Sequence, residues 1–223
     1  MIEYRTAGER FRTVAEGRTT WHSFSFEAHY DPANVGFASL VAHNDEHLPP
    51  GAGYAAHPHA DVEIVTFVVT GALRHSSEVG SGLVRAGQVQ RLSAGSGVTH
   101  SEVADGPAGV RFVQAWVRPD ETGTAPDYAS AEVVRQQGWT CLAGDGGAVP
   151  IRSRGTALHV ADLVAGDRLA LPGAELLHVF VTAGQVMLGE RLLEDGDAAR
   201  LTGEGGRLVV AEGAGQVLAW GFR

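Results

Sequence analysis

Residues 63–93, EIVTFVVTGALRHSSEVGSGLVRAGQVQRLS, decide the reading of the fold. Ile64 to Thr70 is rich in β-branched and aromatic side chains and stops at Gly71-Ala72. Leu73 to His75 follows, Val79 to Gly82 turns into Leu83-Val84, and Ala86-Gly87 turns again into Val89 to Leu92. Short apolar runs closed by glycine every few residues mark successive antiparallel strands. The same order of strand, Gly turn, strand, turn, short strand, Gly, strand returns in residues 178–202, HVFVTAGQVMLGERLLEDGDAARLT. Self-similarity of this kind points to an internal duplication of a small antiparallel β-barrel. A single large sandwich is the structural alternative.

Working outward, Val110 to Val117 (VRFVQAWV) reads as the half-buried strand that closes the first unit before Arg118-Pro119-Asp120 breaks it. The expected organisation is an all-β chain with one domain over residues 1–120, a connector over 121–150 and a second domain over 151–223. Pro126 and the glycines of 144–147 mark the connector, and the Ala, Glu and Arg content around 129–137 suggests a short helix there.

Composition removes several classes of function. All 17 basic residues are arginine, so the chain has no lysine for Schiff-base chemistry or for a Walker-A loop. A net charge of −9 offers no footprint for a phosphate backbone, so nucleic acid is not expected as a direct ligand. The single cysteine, Cys141, makes no intramolecular disulfide and no CxxC site. Charged residues throughout positions 1–20 leave no apolar signal segment, and no apolar run is long enough to span a membrane, so a cytoplasmic protein is expected.

Eight of the ten histidines lie within the first hundred residues, at 22, 29, 43, 47, 57, 59, 75 and 100, which assigns the chemistry to the first unit. The densest group is His57-Pro58-His59-Ala60-Asp61-Val62-Glu63, followed by His100-Ser101-Glu102. Residues two apart on a strand share a face, so His57 projects with His59 and His100 with Glu102. If the two segments face each other across a barrel, three imidazoles and a carboxylate converge. An isolated HxH is weak evidence, whereas HxH with HxE about forty residues on is a specific pattern. Mixed N/O ligation suits one Fe, Mn, Ni, Cu or Zn ion, with open positions left for a substrate.

These segments, HPHADVEIVTFVVTGALRH and SGLVRAGQVQRLSAGSGVTHSE, resemble the pirin family of the cupin superfamily, as do WHSFSF (21–26), Tyr30-Asp31-Pro32 and HND (43–45) in the same order. The resemblance runs over about residues 4–120 and is nearest to bacterial pirin-like quercetin 2,3-dioxygenases. It implies a bicupin of two jelly-roll barrels (double-stranded β-helices), the first holding one divalent metal, usually iron, with Mn, Co, Ni, Cu or Zn as alternatives, and the second without a metal site. His57, His59, His100 and Glu102 fall on the family's ligand positions. Glu63 stands where many other cupins place their carboxylate ligand, and strand-face geometry allows either glutamate to ligate. Because the family takes its carboxylate from the second motif, Glu102 is expected as ligand and Glu63 as support beside the site, and either would act as general base. The implied activity is O2-dependent opening of a flavonol ring. The implied alternative is a metal- or redox-dependent regulatory protein that binds a protein partner.

The remaining residues take plainer readings: Trp21, Phe24 and Phe26 as core, His22 and His43 as satisfied or surface histidines, Asn44-Asp45 as a turn, His75 as solvated and Cys141 as a bystander. Loop 44–56, with Pro49, Pro50, Gly51 and Gly53, is expected to cover or open the site.

Overall fold

The computed structural model describes residues 1–15 and 17–223. The chain runs through β1 (Ile2–Arg5), a 3-10 turn (Ala7–Glu9), β2 (Phe11–Ala15), β3 (Arg18–His22), β4 (Leu40–Leu48), β5 (Gly53–His59), β6 (Glu63–Ser77) and β7 (Gly80–Arg85). There follow β8 (Val89–Ser93), β9 (Val98–Ala104), β10 (Val110–Val117), β11 (Asp127–Ala131), β12 (Thr140–Gly144), β13 (Thr156–Leu163) and β14 (Arg168–Ala170). The last six are β15 (Leu176–Ala183), β16 (Gln185–Leu188), β17 (Arg191–Glu194), β18 (Ala198–Thr202), β19 (Leu208–Ala211) and β20 (Gly215–Phe222). All strand pairs are antiparallel and no α-helix occurs among the described residues, so the all-β expectation holds and the architecture is that of a bicupin jelly roll.

Two compact units form, with bounds that differ from the expected ones. The histidine-rich unit is Phe11–Val133 with Ala148–Arg154; the second is Met1–Arg10, Val134–Gly147 and Gly155–Arg223. The first ten residues leave the 1–120 domain because β1 finds its partner in β18, Ile2 opposite Leu201. The expected connector is divided: β11 joins β8 on the sheet edge of the first unit, and β12 joins β13 in the second. The helix expected around 129–137 is absent. Its propensity is weak beside an unpaired edge, and Arg91 fixes β11 there by donating to the Asp127 carbonyl at 2.9 Å and to its carboxylate at 2.8 Å.

In the histidine-rich unit the sheet order is β11-β8-β6-β10-β4-β3-β2. Strand β6 is long enough to pair with β10 and β8 at one end and with β7 and β9 at the other, and β9 in turn pairs with β5. Two apolar clusters fill it, one around Leu48, Val68, Leu73 and Phe112, the other around Ile64, Leu92 and Val98. In the second unit, sheets ordered β1-β18-β15-β20-β13-β12 and β14-β19-β16-β17 enclose one larger cluster that includes Leu177, Val179, Val181, Leu188, Leu193 and Val217.

Candidate metal centre

The two histidine motifs lie on neighbouring strands, not across a barrel from each other. Strand β5 pairs with β9, with His57 opposite His100 and Tyr54 opposite Glu102; a register shift between Tyr54 and His57 lets both pairings occur. Along β9 the burial alternates strictly, with His100 and Glu102 buried and Ser101 between them half-buried, as a two-residue repeat requires. The imidazole centroids of His57, His59 and His100 stand 4.8, 4.5 and 4.9 Å apart, and one ligand nitrogen from each lies within 4.8 Å of the others. Glu102 joins a second, overlapping group with His100 and His75. His100 is the member common to both.

The ring tautomers favour ligation. His57 Nδ1 is 2.7 Å from the Ala55 carbonyl, which can only accept, so in the neutral ring Nδ1 carries the proton and Nε2 offers its lone pair. His100 Nε2 is buried with no hydrogen-bond partner among the described residues, a costly state for a polar atom unless something else meets it. Desolvation holds His59 down to about 4 and His100 to about 3, the neighbouring imidazoles adding to the effect. Both are therefore neutral at pH 7 and lose no proton on binding a cation. Neutral imidazoles beside a dehydrated carboxylate form a donor set that fits a divalent first-row ion.

Glu102 is buried and gripped from two sides. Gln90 Nε2 donates to Oε1 and Gln114 Nε2 to Oε2, each at 2.8 Å. Tyr128 OH donates to Gln90 at 3.1 Å and Trp116 Nε1 to Gln114 at 3.2 Å, so an aromatic residue orients each amide. Burial raises Glu102 to about 7 against the pull of these two bonds.

The cluster opens on a cavity of about 250 Å³. Phe26, Trp116, Tyr54 and His22 supply flat walls, with Trp116 edge-on to His59 and Phe26 stacked on His22. Glu46, from β4, also lines it. Its Oε2 accepts from Thr20 Oγ1 at 2.6 Å and from Tyr54 OH at 2.9 Å, and burial raises its carboxyl to about 7 with a smaller contribution from Glu102.

Glu63 does not take the supporting place expected of it. Asp61, between β5 and β6, has φ 52° in the left-handed region, so alternation along HPHADVE is reset before Glu63. The Glu63 carboxylate accepts from Ser93 Oγ at 2.8 Å and from the Arg152 amide at 3.2 Å, and it is not among the cavity-lining residues. It secures the 148–154 segment to β6. Three plainer readings also change. His75 is buried, 1 % exposed, because β6 continues through Gly71 and places it opposite Glu102. Asn44 and Asp45 are buried within β4, which reduces the expected 44–56 loop to the turn between β4 and β5. Phe26 lines the cavity, while Phe24 is core as expected. His22 is satisfied, its Nδ1 3.0 Å from Asn44 Oδ1 and its Nε2 2.9 Å from Thr13 Oγ1. Glu46 and Tyr128 carry no motif that sequence reading could find; the alternation of Thr20 and Glu46 on paired strands is visible only once β3 and β4 are in register.

Residues 4–117 match the sequence profile of the Pirin family. A Mycobacterium tuberculosis protein named, provisionally, a quercetin 2,3-dioxygenase is 40 % identical over 98 % of this chain and 94 % of its own length. The Escherichia coli K12 protein named quercetin 2,3-dioxygenase is 37 % identical over 62 % of this chain and 61 % of its own. The crystal structure of the bacterial pirin YhhW from Escherichia coli in complex with nickel(II) superposes with a TM-score of 0.91 at 28 % identity, covering 100 % of this chain and 99 % of that one. No helix among the described residues is long and apolar enough to cross a membrane.

Proposed function

This chain belongs to the Pirin family, and on that premise we propose that it is a metal-dependent dioxygenase that opens the ring of a flavonol-like substrate with O2. The observation that carries the reading is the cluster of His57, His59 and His100, with the buried Glu102 two residues from His100 on β9, beside an aromatic-walled cavity. His57, His59, His100 and Glu102 would hold one divalent ion, iron first among the candidates. When bound, the ion supplies Lewis acidity toward a 3-hydroxy-4-keto chelate and brings it next to dioxygen.

The protein's own part is binding, orientation and proton handling. At about 250 Å³ the cavity is a little under the ~300 Å³ at which small-molecule sites usually begin, which suits one flat ring system with part of it projecting outward. Phe26, Trp116 and Tyr54 hold that ring by its faces and edges. Glu46 takes the proton of the substrate hydroxyl: it lines the cavity, and a carboxyl titrating near neutrality is matched to that task. Glu63, bonded elsewhere, is not the base, and Glu102 serves as ligand, kept from turning away by Gln90 and Gln114.

The test is oxygen uptake and carbon monoxide release with quercetin, using protein of verified Fe or Ni content. Consumption of flavonol and O2 in equal amounts is expected, and Glu46→Gln should lower kcat at least ~100-fold, the low end of general-base contributions. Protein of verified metal content that leaves quercetin intact would overturn the reading.

A further inference from the structure

Strand β11 lies on the edge of the histidine-rich unit, with Tyr128 opposite Leu92 of β8. The Tyr128 ring lies flat on the His75 imidazole, centroids 4.5 Å apart and planes within 7°. His75 Nδ1 is 3.5 Å from His100 Nδ1. A His100 that binds an ion through Nε2 carries its proton on Nδ1, which makes His75 the acceptor, the arrangement by which ligating histidines are commonly oriented. The Tyr128 hydroxyl, at the other end of the same side chain, donates to Gln90 Oε1, which leaves the Gln90 amide hydrogens for Glu102.

Space has been reserved for this ring. A Cβ on Gly80 would stand 2.6 Å from Tyr128 Cδ1, and one on Gly82 would stand 2.7 Å from the hydroxyl oxygen. Neither glycine has a positive φ, so the backbone does not require glycine at either position and the ring does.

We propose that Tyr128 is a positioning residue for the half of the metal centre carried on β9, holding His100 through His75 and Glu102 through Gln90. The proposal rests on the assignment of the ion to His57, His59, His100 and Glu102. One side chain outside both histidine motifs thereby sets the aim of two ligands.

The experiment is a competition titration of the full chain with Co²⁺, read as affinity and as the visible spectrum of the bound ion. Tyr128→Phe keeps the stack and loses the hydroxyl, and should weaken binding about tenfold; Tyr128→Leu loses both and should weaken it about 100-fold, the span typical of residues that orient ligands. Both should change the visible spectrum. Gly80→Ala displaces the ring without altering Tyr128 and should reproduce most of the Tyr128→Leu loss, adding little when the two are combined. Variants that melt at lower temperature yet bind Co²⁺ with wild-type affinity and spectrum would overturn the proposal by reducing Tyr128 to a packing residue. Wild-type protein that takes up no ion would overturn the metal assignment itself, a result separable from the first.

Discussion

Strands β6 and β15 begin the two similar stretches of their units with nearly the same grammar, and both bury six successive residues. Beyond that point the interiors diverge. Near its cavity the histidine-rich unit buries His75, Gln90, His100, Glu102, Gln114 and Glu46, and it spends glutamine amides and hydroxyls to satisfy the carboxylates. The second unit fills its interior with Leu177, Val179, Val181, Leu188, Leu193 and Val217. Among the described residues no group of three ligating side chains includes its His159. Buried apolar area stabilises by roughly 25 cal/mol per Å², whereas a buried polar group is unfavourable unless fully bonded. One architecture thus supports a polar, hollow interior in one copy and a packed one in the other.

The sharpest way to break this comparison is metal analysis. His59→Ala should take the chain from one bound equivalent to none, while His159→Ala should leave one; two equivalents in the wild type, or loss in His159→Ala, would contradict it. Next in size is a stability effect confined to the packed unit. Leu177→Ala leaves a cavity among close-packed neighbours and should cost about 2–5 kcal/mol by denaturant unfolding, with Co²⁺ affinity unchanged in the protein that remains folded. The smallest effect belongs to the polar interior. Glu46 is raised to about 7 in the folded chain from an ordinary value of 4.5, so between those pH values the folded state holds a proton that the unfolded state has lost. Its contribution to stability is therefore full below about 4.5 and is lost as pH rises toward 7. Glutamine does not ionise, so the melting temperature of metal-free Glu46→Gln relative to wild type should climb by several degrees between pH 5 and pH 7.5; a constant difference would refute the burial argument.

The parts of this arrangement that are local were readable from sequence. Turn glycines and short β-branched runs gave the strands, and the two-residue period put His57 with His59 and His100 with Glu102. What escaped depends on pairings between distant segments. His75 looked solvated because it follows a glycine, yet β6 runs on through Gly71 to place it beside Glu102. Glu63 looked like a neighbour of the site because it stands at the spacing where many cupins place a carboxylate ligand, but the backbone resets at Asp61. Residues 129–137 looked helical by composition because nothing in them announces the open edge of β8, which takes up 127–131 as β11. Glu46 and Tyr128 belong to the same class, each given its role by a strand far away in the chain.

Strand β1 has a consequence for how the molecule is made. Its partner, β18, follows about 200 residues later, with Ile2 opposite Leu201 and Arg5 opposite Ala198. At ribosomal speeds of about 5–20 residues per second, the first strand waits roughly 10–40 s for that partner to be synthesised. The histidine-rich unit, by contrast, has all but its short 148–154 return in hand by residue 133. Vectorial synthesis therefore favours an order of events in which the chemical half takes shape while the opening strand of the other half is still a free thread.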